Sequence, residues 1–102
     1  MIELTNENFD NFNKKEFAVV DFWQEACSEC IALKPRITEI EKNFANVSFY
    51  SVDCKQNRNL ALKFKVFGLP TVLFFINGNL VEKLQKENCT IENILQVLNE
   101  KY

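Results

Sequence analysis

Cys27 and Cys30 are the side chains of this chain best suited to chemistry, and everything between residues 17 and 41 reads as their scaffold. Two sulfurs three residues apart can close a small disulfide ring and reopen it, or supply half of a metal site. The choice between these depends on where the pair sits. Ahead of it runs Phe17-Ala18-Val19-Val20-Asp21-Phe22-Trp23, and after it Leu33, Ile37, Ile40 and Phe44 recur at helical spacing. A strand, a short loop and a helix therefore place the dithiol at a helix N-terminus, where unpaired N–H groups favour thiolate over thiol. Cys27, at the helix start, is the expected attacking sulfur, and Cys30, one turn inward, the resolving one.

A metal reading fits less well. The chain has no His, and Cys54 and Cys89 are neither paired nor suitably spaced. No metal ligand set is assigned, and a metal-binding dithiol stays as the remote alternative. Asp21 lies among apolar residues, where an unpaired carboxylate is costly and desolvation raises its pKa. It reads either as a proton acceptor and donor for Cys30 or as an acid capping a strand end.

The 102 residues fit one domain spanning 1–102, and a hydrophobic fraction of 47% with ten Phe is ample for a core. Net charge is −2 with both signs interspersed and no basic stripe, which argues against a nucleic-acid partner. No apolar run is long enough for a bilayer, and the first residues lack the pattern of a signal peptide, so a cytoplasmic protein with no membrane partner is expected. There a Cys-x-x-Cys is more often catalytic or metal-binding than structural.

In chain order, Met1–Leu4 is expected as a short edge strand, and Thr5 as the cap of a short helix with Phe9 and Phe12 on one stripe. Phe17–Phe22 and Val47–Cys54 read as strands, with the dithiol helix between them. Pro35 falls inside that helix and is expected to kink it. Asn57–Lys65 reads as a helix, Val72–Ile76 and Leu80–Gln85 as a hairpin joined by Asn77-Gly78, and Thr90 as the cap of a last helix. Alternating elements with a terminal hairpin predict an α/β fold: a mixed sheet with helices on both faces.

The motifs Val19-Val20-Asp21-Phe22-Trp23, Cys27-x-x-Cys30, Pro35, Asp53, Gly68-x-Pro70-Thr71, Phe75 and Asn77-Gly78 resemble the thioredoxin family in order and spacing. The resemblance implies a thioredoxin-like fold with a four- or five-stranded sheet flanked by about four helices. It implies protein disulfide reductase activity through a mixed disulfide, with no cofactor beyond the redox-active Cys27–Cys30 disulfide. It favours the proton-relay role for Asp21. It also implies a cis Leu69–Pro70 bond, although ordinary X–Pro bonds are cis only about 5–6% of the time. Client segments would dock against Leu69 and Pro70, with Trp23 and Ala26 nearby.

The chain departs from the family pattern at several places. Ala26 stands where the family has Trp, and Ser28-Glu29 where it has Gly-Pro, so Ser28 and Glu29 are expected to tune the dithiol. Ser51 replaces a basic residue, and Gln85-Lys86-Glu87-Asn88 lacks a glycine. Expected partners are disulfide-containing client proteins and a thioredoxin-reductase-like electron donor, with the chain a monomer. A non-catalytic thioredoxin-fold interaction module is the other alternative.

Overall fold

The computed structural model describes residues 1–10 and 15–102. Five strands form one sheet in the order β1-β3-β2-β4-β5: β1 is Ile2–Glu3, β2 Phe17–Trp23, β3 Ser48–Asp53, β4 Thr71–Ile76 and β5 Asn79–Gln85. β2 pairs parallel with β3 and antiparallel with β4, so the sheet is mixed. Three α-helices lie among the described residues: α1 (Ser28–Glu41), α2 (Arg58–Lys63) and α3 (Ile91–Lys101). The helix expected after Thr5 falls partly on Phe12 and its neighbours, outside the described residues.

β2 is the middle strand, and its residues alternate between two cores as a pleated strand requires. Val19 packs with Leu33 and Ile37 of α1 and with Ile94 and Leu98 of α3. Ala18, Val20 and Phe22 face the opposite way, with Tyr50, Leu60 and Phe75. Burial on both faces explains why Phe17–Phe22 is almost unbroken in its apolar character. The Tyr102 hydroxyl lies 3.1 Å from the Ala18 carbonyl and 3.0 Å from that of Phe75, donating between neighbouring strands.

The turn and cap residues act as their chemistry dictates. Asn77 and Gly78 both take positive φ, 51° and 80°, which a two-residue hairpin of the favoured hand needs. Thr90 caps α3 by accepting the Asn93 N–H at 3.2 Å. Pro35 lies within α1, which is helical from Ser28 through Glu41.

Register brings four chain segments to one end of the sheet. Trp23 pairs with Asp53, so the chain leaving β2 runs beside the chain leaving β3. Phe22 pairs with Thr71, and Thr71 with Gln85, so the loop before β4 and the loop after β5 arrive at the same end. Residues scattered over the sequence, from 24 to 88, are thereby assembled into one surface.

Candidate active site

Cys27 is the N-cap residue of α1. Its Sγ accepts the Cys30 N–H at 3.2 Å, so the sulfur occupies the position where a capping side chain satisfies an otherwise unpaired donor. Cys27 and Cys30 are joined as a disulfide, with Cα atoms 5.2 Å apart. Cys27 is half-buried, whereas Cys30 is only 1% exposed. Of the two residues, Cys27 is the more accessible. Ser28 and Glu29 are both exposed on the first turn of α1.

Asp21 lies on β2 between Ser51 of β3 and Val72 of β4, two residues beyond Val19 and therefore on the α1 side of the sheet. It is 1% exposed, and its Oδ2 has no hydrogen-bond partner among the described residues. Burial pushes its carboxyl from the ordinary 3.8 up to about 7, against the smaller opposing pull of the Lys34 ammonium. That ammonium lies 3.8 Å from the centre of the Trp23 ring, a cation–π contact. Ser51 is indeed the residue beside Asp21 in the sheet, and it carries no charge. The cation near the buried acid comes instead from the helix. Lys34 follows Cys30 by one helical turn, and that spacing was the available clue to it.

The Leu69–Pro70 bond is cis. Thr71 Oγ1 donates to the Gly68 carbonyl at 2.6 Å, and Lys86 N–H donates to the Pro70 carbonyl at 2.8 Å, so the loop is tied at both sides. Lys86 has φ 54°, a left-handed conformation that costs a non-glycine residue about 1 kcal/mol or more. The stretch that lacks a glycine thus keeps a backbone that glycine would adopt freely.

Two hollows lie against the Leu69 loop, and Cys27 lines one of them. One, of about 460 Å³, is lined by Cys27, Cys54, Ala61, Val66, Phe67 and Leu69, among others. The other, of about 400 Å³, is lined by Leu69 and Pro70 with Glu29, Lys86 and Glu87. Leu69 borders both. Ala26 lies instead in a separate depression with Gln24, Glu25 and Lys55, and Trp23 is half-buried beneath Lys34. Phe67, not singled out from sequence, lines the first of these hollows, and Lys86, named only within the stretch that lacks a glycine, lines the second.

The remaining cysteines are of another kind. Burial raises the Cys54 thiol to about 11, with the Asp53 charge adding to it. Burial likewise raises Cys89 to about 12, with the Asp21 charge adding. Among the described residues no group of three or more His, Cys, Asp or Glu side chains could hold a metal ion.

A closable dithiol at a helix N-terminus, over the end of a mixed sheet and beside a buried acid, defines a protein of thiol–disulfide exchange. The thioredoxin family model matches residues 1–100. A thioredoxin of Acetoanaerobium sticklandii is 38% identical over 97 residues, covering 92% of both chains. A thioredoxin of Buchnera aphidicola is 35% identical over 104 residues, covering 92% of this chain and 96% of its own. In fold, the chain is similar to the solved structure of Plasmodium falciparum thioredoxin, with a TM-score of 0.91, 23% identity and full coverage of both chains. The chain belongs to the thioredoxin family. It is a thiol–disulfide oxidoreductase that reduces protein disulfides. Among the described residues no helix is long and apolar enough to cross a membrane.

Proposed function

We propose that Cys27 is the nucleophile of this reductase, Cys30 the resolving thiol and Asp21 its proton acceptor and donor. The observation that carries this is the half-buried Cys27 sulfur at the start of α1, bonded to a Cys30 buried beneath it. In the reduced protein the Cys27 thiolate attacks one sulfur of a client disulfide. A Cys27–client disulfide forms, the client's own S–S bond breaks, and its other sulfur leaves as a thiolate that takes a proton. Cys30 then gives its proton to the Asp21 carboxylate and attacks Cys27 Sγ. The Cys27–Cys30 disulfide forms and the second client sulfur leaves. Two electrons have passed to the client, and a reductase or small dithiol returns two electrons and two protons.

A carboxyl titrating near 7 suits this work, because at neutral pH it both accepts and returns a proton readily. The N–H groups at the start of α1 favour the thiolate of Cys27. Clients would lie extended across the Gly68–Thr71 loop, pairing with the backbone of Leu69 beside Pro70, while Ser28 and Glu29 set the dithiol's reactivity. Trp23 supports the site from beneath Lys34, and Ala26 contributes to the outer rim. The chain works as a single-domain monomer over residues 1–102, in the cytoplasm, with no cofactor beyond its own disulfide, and takes its electrons from a thioredoxin-reductase-like donor.

Turnover of a model protein disulfide with a dithiol as electron source tests the assignment. Wild type turns over, Cys27→Ser is inactive, and Cys30→Ser accumulates a mixed disulfide through Cys27. If Cys27→Ser and Cys30→Ser keep wild-type turnover, the sulfur assignments are wrong. If all three are folded and inert, the chain is an interaction module that has kept the family's cysteines.

A further inference from the structure

Among the described residues Phe67 is the most exposed of the large apolar side chains, at 78%, and belongs to neither core cluster. Lys65, left-handed at φ 57°, turns the chain out of α2, and Val66 returns to the core while Phe67 stays in solvent. Phe67 lines the same cleft as Cys27, where Ala61, Val66 and Leu69 supply apolar side chains on a wall that Gln24 and Glu29 otherwise make polar. A lone exposed apolar side chain is ordinary; one sharing a cleft with the reacting sulfur is not. Ala26, the neighbour of Cys27 in sequence, offers only a methyl group and lies in a different depression with Gln24, Glu25 and Lys55.

We propose that Phe67 is the specificity-determining contact for clients, taking up an aromatic or large aliphatic side chain next to the client's reactive cysteine. The inference rests on the reductase reading above. Any client must bring a sulfur into bonding distance of Cys27, so the cleft is continuous with the surface that the reaction itself requires a client to cover. The occupant is an extended client segment, apolar on the Phe67 side. Glu29 lines both hollows and disfavours an acidic neighbour there.

The test uses two peptides with the same internal disulfide, differing only in Phe or Ser beside one cysteine. Pre-reduced protein is mixed with excess peptide, and the single-turnover rate is followed against concentration. For wild type the half-saturating concentration is about tenfold lower for the Phe peptide, with similar limiting rates, the scale of one apolar contact. Phe67→Ser brings the two half-saturating concentrations together, and Phe67→Leu restores most of the difference. Equal half-saturation in wild type, or a preference that survives Phe67→Ser, overturns the inference while leaving the reductase intact. If wild type oxidises with neither peptide, the reductase reading fails and takes the inference with it. Self-association of wild type that Phe67→Ser abolishes would make the cleft a contact between copies of this chain, which also overturns it.

Discussion

Cys27 and Cys30 sit where α1 begins, whereas Cys54 and Cys89 sit in loops that close over the sheet end; the same residue type meets opposite electrostatics. At the helix start, backbone N–H groups point at sulfur and reward a negative charge. Cys54 and Cys89 are desolvated and face carboxylates, Asp53 and Asp21, so negative charge on either is penalised twice. All four lie at one end of a small molecule. What distinguishes the two pairs is therefore the local sign of the field, not exposure or distance from the helix start.

Selective alkylation is the largest available test of that contrast. An ordinary thiol titrating at 9.0 that is pushed to about 11 has its thiolate fraction at pH 8 reduced about a hundredfold, and Cys89 at about 12 about a thousandfold. In the reduced native protein at pH 8, iodoacetamide should label Cys27 first, leaving Cys54 and Cys89 unlabelled until denaturant is added. Mass spectrometry of the labelled peptides decides it. Early labelling of Cys89 would break the comparison.

The second test concerns the acid that both pairs share. Asp21 titrates near 7 in the folded chain and near 3.8 once exposed, so between those values the folded state holds a proton that the unfolded state has lost. This contribution to stability is complete below pH 3.8 and is lost as pH rises through 7. A shift of that size corresponds to roughly 4 kcal/mol above pH 7. Asp21→Asn should therefore be the more stable protein in urea at pH 8, by a few kcal/mol. Its advantage should close by pH 4. An advantage of equal size at both pH values would mean that burial of the charge is not the cause. In the same variant, resolution of the Cys27 mixed disulfide should lose the fall in rate that wild type shows below about pH 7, since no carboxylate remains to be protonated.

Most of this contrast could be read from the sequence, and the unread part has a definite physical character. The apolar run into Asp21, the Cys-x-x-Cys spacing, the hairpin dipeptide Asn77-Gly78 and the cap Thr90 are local patterns, and each forms the element it predicts. The cis bond before Pro70 could be expected only from resemblance, because nothing in Gly68-Leu69-Pro70-Thr71 itself departs from the usual trans preference. Phe67 carried no signal in the sequence, Lys86 was named only within the stretch that lacks a glycine, and Lys34 was marked only by its spacing from Cys30. Each reaches the site through how one element lies against another: Lys34 through the placement of α1 over β2, Phe67 through the exit from α2, and Lys86 through the register of β4 with β5. Ala26 shows the converse. Its neighbour Cys27 lines the cleft, yet the turn before α1 directs Ala26 to another depression.

The smallest effect is also the one most specific to this chain. Glu29 stands between the two cysteines on the exposed first turn of α1 and lines both the cleft that Cys27 lines and the hollow at Leu69 and Pro70. A carboxylate there favours the helix through its N-terminal N–H groups, and the same charge disfavours a second negative charge on Cys27. The two effects pull apart, so removing the charge should weaken the helix slightly while easing ionisation of the thiol. Glu29→Gln should lower the pH midpoint for alkylation of Cys27 by a few tenths of a unit, and the shift should shrink in high salt because both groups face water. A lower midpoint marks a better stabilised thiolate, hence a more stable reduced form and a less reducing couple. An unchanged or higher midpoint at low ionic strength would show that the helix terminus alone governs Cys27, and that the charge beside it is spent on the solvent.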